Sequence, residues 1–150
     1  MIDIPELPAL APAGADRMRA LAETILLDFS HPRVAALVQG RGWQQLTEHG
    51  RIAAAYAFVR DGIAFGYNRD DDLKASEVLA DGYGQCNTQS TLMMALLRAL
   101  GIPCRFHGFT IDKRLRRGAI TGLAYWLAPR NIIHSWVEVW TGERWARLEG

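Results

Sequence analysis

The feature that most constrains this chain is a turn followed by a helix. Gly82-Tyr83-Gly84-Gln85-Cys86 places two glycines within three residues, the mark of a tight bend. Behind it runs an apolar stretch of good helix formers, Thr88 to Leu100, closed by Gly101, with Pro103 two residues on. A helix so apolar has to be surrounded, which calls for a core built around it. With 150 residues, 49% of them apolar and 22% charged, the chain has the material for one such core. The spacing predicts a flexible arm over residues 1–14 and a single domain over 15–150.

Upstream of that turn the pattern is helical. Met18, Leu21, Ala22, Ile25 and Leu26 recur at three- and four-residue steps behind Asp16 as N-cap. Ser30-His31-Pro32 reads as a second helix start. A third helix begins near Thr47 and carries Ile52, Ala55, Tyr56 and Val59. A polar loop, Asn68 to Asp72, precedes a short helix around Ala75 to Leu79. Downstream the chain turns to strands: Ile102 to Ile111, Ile132 to Trp140, and a return strand from Arg144 to Glu149. Helices first and strands later predict an α+β domain, N-terminal helices on a mainly antiparallel sheet.

Cys86 stands where the long helix starts. Unpaired N–H groups and about half a positive charge there favour a thiolate and can hold an oxyanion. A small buried residue packing a helix end would look the same. A nucleophilic cysteine needs a base, and the base an orienting partner. Of the four histidines, His31 and His49 fit capping or surface roles, and His107 falls in the strand after the helix. His134 lies in Ile132-Ile133-His134-Ser135-Trp136-Val137-Glu138-Val139-Trp140. Alternation puts it with Trp136, Glu138 and Trp140, opposite Ile133, Val137 and Val139. A two-residue loop at Thr141-Gly142 would pair Trp140 with Glu143 and so His134 with Glu149, Cβ atoms ~5 Å apart. A four-residue loop would leave them one step diagonal on the same face.

These segments resemble the transglutaminase-like domain, a branch of the papain-type thiol enzymes. Three runs carry the resemblance: Gly84-Gln85-Cys86 with Leu96-Leu97-Arg98-Ala99-Leu100-Gly101-Ile102-Pro103-Cys104-Arg105; His134-Ser135-Trp136-Val137-Glu138-Val139; and Trp145-Ala146-Arg147-Leu148-Glu149. It covers the chain from about Ile52 onward and leaves out Met1 to Leu46. The resemblance implies Cys86 as nucleophile, His134 as general base and acid, and Glu149 as orienting acid. The family's acid is usually aspartate, and its sheet usually continues past the acid, which implies a domain cut short at residue 150. The implied function is acyl transfer or hydrolysis on a carboxamide, in a peptide or protein, through a thioester and without a cofactor. Gln85, Tyr83 and Trp136 are candidates for oxyanion or substrate contacts. A non-catalytic interaction domain on the same fold is the second reading.

Other constellations point elsewhere. Cys86, Cys104, His107 and His134 are four potential zinc ligands, but residues 104 and 107 on one strand point to opposite faces. Asp70-Asp71-Asp72 lacks the glycine and distal glutamate of an EF-hand and reads as a solvated turn. Lys113-Arg114-Leu115-Arg116-Arg117 could meet a phosphate or acidic substrate, or form a solvated helix face. Trp136, Trp140 and Trp145 fit a substrate channel or a hairpin core. Seventeen basic against sixteen acidic residues argue against nucleic acid as a partner. The longest apolar run falls short of the ~20 residues a membrane span needs. Acids in MIDIPELPAL and a pair of cysteines lead to an expectation of a reducing cytoplasm.

Overall fold

The computed structural model describes residues 14–112 and 131–148, with side chains over 14–108 and 135–148. The expected arm before residue 14, the basic run 113–117 and Glu149 lie outside the described residues.

Five helices occupy the first two thirds: α1 (Ala15–Leu21), α2 (Pro32–Gly40), α3 (Glu48–Gly62), α4 (Ala75–Asp81) and α5 (Cys86–Ala99). Three strands follow, β3 (Cys104–Asp112), β4 (Asn131–Trp140) and β5 (Trp145–Leu148), in one antiparallel sheet of order β3-β4-β5. Two residues each, β1 (Ala64–Phe65) and β2 (Tyr83–Gly84), form a separate parallel pair. This is the α+β arrangement that the order of patterns implies.

The centre is α5. Leu92, Met93, Met94, Ala95, Leu96 and Leu97 are buried in succession, so the helix is enclosed all round. It packs against α2, α3 and α4 and against β3 and β4. Val34 and Val38 come from α2, Ala55 and Val59 from α3, Val78 from α4, and Cys104, Val137 and Val139 from the sheet. Gly101 adopts φ +74°, the left-handed bend that ends α5 and sends the chain into β3.

Caps fix the flanking helices. Thr47 accepts from Gly50 N–H at 3.2 Å, and His31 Nδ1 accepts from Arg33 N–H at 3.2 Å. The first turn of α4 is capped from a distance: Asp28 accepts from Ser76 N–H at 3.0 Å and from its hydroxyl at 2.6 Å. Arg51 binds the carbonyl of Leu100 at 3.2 Å, tying α3 to the end of α5.

One expectation is corrected, and one choice between alternatives is decided. The N-terminal stripe does not run to Leu26; α1 ends at Leu21 and its N-cap is Gly14, not Asp16. Met18 is 74% exposed and Ile25 81%, while Ala20 and Leu27 are the buried residues. Only part of the apolar spacing meets other structure: Leu21 and Leu26 are partly buried, and Met18 and Ile25 are not. The hairpin between β4 and β5 has a four-residue loop, with Trp140 opposite Trp145 rather than Glu143. Thr141 stabilises it, its N–H donating to the Arg144 carbonyl at 3.0 Å and its hydroxyl oxygen accepting from Arg144 N–H at 3.3 Å.

Candidate active site

Cys86 is the first residue of α5 and is exposed, although the body of the helix is buried. The turn before it is a tight assembly. Gly66 N–H donates to the Gly84 carbonyl and Ala64 N–H to the Gly82 carbonyl, both at 3.0 Å, joining β1 to β2. The buried Thr88 accepts from Gln85 N–H at 3.0 Å and donates to Asn68 Oδ1 at 2.6 Å. Asn68 Nδ2 in turn donates to the Tyr83 carbonyl at 3.2 Å. A Cβ on Gly84 would fall 2.8 Å from Thr88 Oγ1 and 3.1 Å from Gln89 Cγ, so nothing larger than glycine fits without displacing the start of α5. Gly84→Ala is expected to cost about 1–3 kcal/mol, read by chemical denaturation, and to change the alkylation rate of Cys86. A variant matching wild type in both would show that the turn is not close-packed.

The candidates flanking the cysteine are anchored in different ways. The Gln85 side-chain amide donates to Asp71 Oδ1, and Asn87 Nδ2 donates to the same oxygen at 2.9 Å. Asp71, read from sequence as part of a solvated turn, therefore grips the residues on both sides of the nucleophile candidate. Tyr83 is half-exposed beside Gly66, near exposed Phe65 and Tyr67, which meet edge to face at 5.7 Å.

His134 stands in the middle of β4, its backbone opposite Phe109 of β3. The register pairs Trp140 with Trp145 and Val137 with Leu148, two positions further along the return strand than the two-residue loop predicts. A shift of two preserves face parity in a ladder. Glu149 itself, and the side chain of His134, lie outside what the structure describes.

Trp136 belongs to a polar array on the sheet face turned away from α5. Its ring stacks on His107 at 5.5 Å and 8°, and Arg147 lies over it at 4.6 Å. Arg105 Nε donates to Glu138 Oε2 at 2.8 Å and covers the Trp145 ring at 4.1 Å. His107 Nε2 is 3.0 Å from the same carboxylate oxygen, within ion-pair distance but without hydrogen-bond alignment. Trp140 is buried and meets Trp145 edge on at 5.6 Å. Burial works to raise the Glu138 carboxyl, but the Arg105 hydrogen bond, the charges of His107 and Arg105 and a bond from Trp136 outweigh it. The net effect holds Glu138 below its ordinary value of 4.5. A carboxyl depressed in the folded state stabilises the fold above its unfolded pKa, and that contribution is lost as pH falls through the folded value. Wild type is therefore expected to lose stability more steeply than Glu138→Gln between about pH 5 and pH 3, measured as urea midpoints. Parallel slopes would refute it.

The second cysteine differs from the first in every respect. Cys104 is fully buried, its Sγ 3.6 Å from the Met94 carbonyl, and burial pushes the thiol up to about 11 against the opposing pull of Arg98. It faces the core, whereas His107 faces Glu138 and Trp136. The two therefore do not share a ligand sphere, and among the described residues no three His, Cys, Asp or Glu side chains cluster as a metal site. No described helix is long and apolar enough to cross a membrane.

Comparison with known proteins accords with this geometry. A Bacillus subtilis (strain 168) protein, YebA, itself uncharacterized, is 31% identical over 97 residues, 63% of this chain and 13% of its own. A candidate cysteine protease from Cytophaga hutchinsonii superposes with a TM-score of 0.67 at 15% identity, over 96% of this chain and 45% of that one. The periplasmic domain of TgpA from Pseudomonas aeruginosa, bound to ethylmercury, gives 0.53 at 18% identity, over 89% and 47%. The chain thus spans less than half of either solved structure and a small part of YebA. The sequence profile of the transglutaminase-like superfamily matches residues 31–150, further toward the N-terminus than the motifs alone reach, and α2 shares the core with the rest. With that match over most of its length, the chain belongs to the transglutaminase-like superfamily.

Proposed function

We propose that this domain is a thiol acyl hydrolase or acyltransferase acting on a carboxamide of a peptide or protein, with Cys86 as nucleophile, His134 as base and Glu149 as orienting acid. The observation that carries the reading is the exposed Cys86 at the first position of an otherwise buried helix. A helix N-terminus favours a thiolate and can hold an oxyanion formed beside it, which supports this reading.

In this reading His134 takes the thiol proton and the sulfur adds to the amide carbon. The C–N bond then breaks, and the departing nitrogen takes the proton from His134, leaving a thioester on Cys86. Water or a second amine adds to the thioester carbon, and the sulfur leaves as thiolate. Gln85 is tied to Asp71 through one N–H of its amide, which leaves the second N–H for a substrate or oxyanion contact.

The test is intact-mass analysis of the protein with a panel of peptide amides. Wild type is expected to gain the mass of an acyl group and Cys86→Ala none. An unmodified wild type, together with an alkylation rate for Cys86 that His134→Ala leaves unchanged, would make the domain a non-catalytic interaction module.

A further inference from the structure

We propose that Asp71 is a positioning residue for the Cys86 thiol, clamping the turn that carries it through the side-chain amides of Gln85 and Asn87. One carboxylate oxygen, Oδ1, accepts from both amides, immediately before and after the cysteine. The loop that supplies Asp71 reaches the same turn a second time. Asn68 binds the Tyr83 carbonyl at 3.2 Å and the Thr88 hydroxyl at 2.6 Å. From residue 83 to residue 88 the turn is thus held from one side by one polar loop. Helix starts leave their first N–H groups unpaired and fray readily. A nucleophile there needs external support to keep its sulfur in one place, and a displacement of ~1 Å is costly to a reaction that depends on alignment.

The clamp carries a charge as well as a geometry. The charged neighbours of Asp71 are largely paired with one another: Arg69 bonds Glu77 at 2.6 Å and lies 3.7 Å from Asp81. Asp70 and Asp72 add negative charge on the same loop, and Asp70 caps the Asp72 N–H at 3.2 Å. Tyr67 before Asn68, Lys74 at the start of α4, and Tyr83 are further titratable groups of the adjoining described segments. The clamp therefore sets an acidic side chain, rather than a neutral acceptor, on the turn that carries Cys86.

The inference rests on the thiol reading above, and its test separates the two. Asp71→Ala removes both hydrogen bonds and the charge. Asp71→Asn removes the charge but keeps an oxygen able to accept from both amides. Amide hydrogen exchange over residues 85–88 is expected to quicken about tenfold in the alanine variant and to return close to wild type with asparagine. The rate at which iodoacetamide alkylates Cys86 at a fixed pH is expected to change in the alanine variant and to return close to wild type with asparagine, since the two hydrogen bonds are lost in the first and kept in the second. Acyl-adduct formation is expected to drop in Asp71→Ala and recover in Asp71→Asn. An alanine variant with wild-type exchange and a wild-type alkylation rate overturns the proposal, as does asparagine behaving like alanine in exchange. A wild type that forms no adduct sinks the enzyme reading alone, because exchange and alkylation need no substrate.

Discussion

Leu96→Ala is expected to lower the unfolding free energy by about 3–4 kcal/mol, because it opens a cavity at the centre of the core. Leu96 has no exposed surface and sits in the C-terminal half of α5, enclosed by the other helices and the sheet. Removing its branched end deletes buried methyl groups and leaves a void lined by side chains on every side. Surroundings of helix and sheet relax poorly into such a void, so the cavity adds to the lost transfer energy. Domains of this size hold about 5–15 kcal/mol in all, so the variant loses a large part of its margin. Urea denaturation followed by circular dichroism measures it. A loss under about 1 kcal/mol would mean that α5 is not the centre of the core.

His134→Ala is expected to slow alkylation of Cys86 by roughly ten- to a hundredfold at about pH 6.5. In the proposed mechanism the imidazole takes up the thiol proton, and the thiolate is the form that alkylates. Removing the imidazole removes that proton acceptor. Cys104 supplies an internal standard, since its buried thiol, raised to about 11, stays slow in both proteins. Mass spectrometry of peptides after timed iodoacetamide pulses distinguishes the two sulfurs. Equal rates at Cys86 in variant and wild type would remove His134 from the proposed mechanism.

What the sequence made legible follows the strength of its local signals. The start and end of α5 are written in glycines and Pro103, and both ends fall close to where those residues predict. The alternation of β4 correctly separates Val137 and Val139, which enter the core, from Trp136 and Glu138, which do not. The N-terminal stripe misled because periodicity reports a face without reporting whether anything covers it, and Met18 and Ile25 meet solvent. The sequence leaves the hairpin loop open between two and four residues because Thr141-Gly142 suits a short turn, while the Thr141 hydroxyl closes the longer one with Arg144. The β1–β2 pair consists of backbone bonds between two-residue segments and leaves no pattern to read. The grip of Asp71 on Gln85 and Asn87 spans 14 and 16 residues. No period of helix or strand connects such positions. Cys86 was visible because its neighbours are distinctive, and Asp71 was not, because a run of aspartates resembles any hydrated loop.

The separation of the two sulfurs has a redox consequence. Cys104 reaches the α5 backbone at Met94, eight residues beyond Cys86 and so roughly 12 Å along the helix. A disulfide needs Cα atoms within about 7 Å, so the folded chain cannot join Cys86 to Cys104 by internal crosslinking. Oxidant reaching Cys86 first leaves a sulfenic acid, which a thiol from another molecule can capture and further oxidant carries to irreversible sulfinic and sulfonic acids. With no second sulfur of the chain in reach, recovery of the sulfur at the head of α5 depends on a thiol supplied from outside the domain.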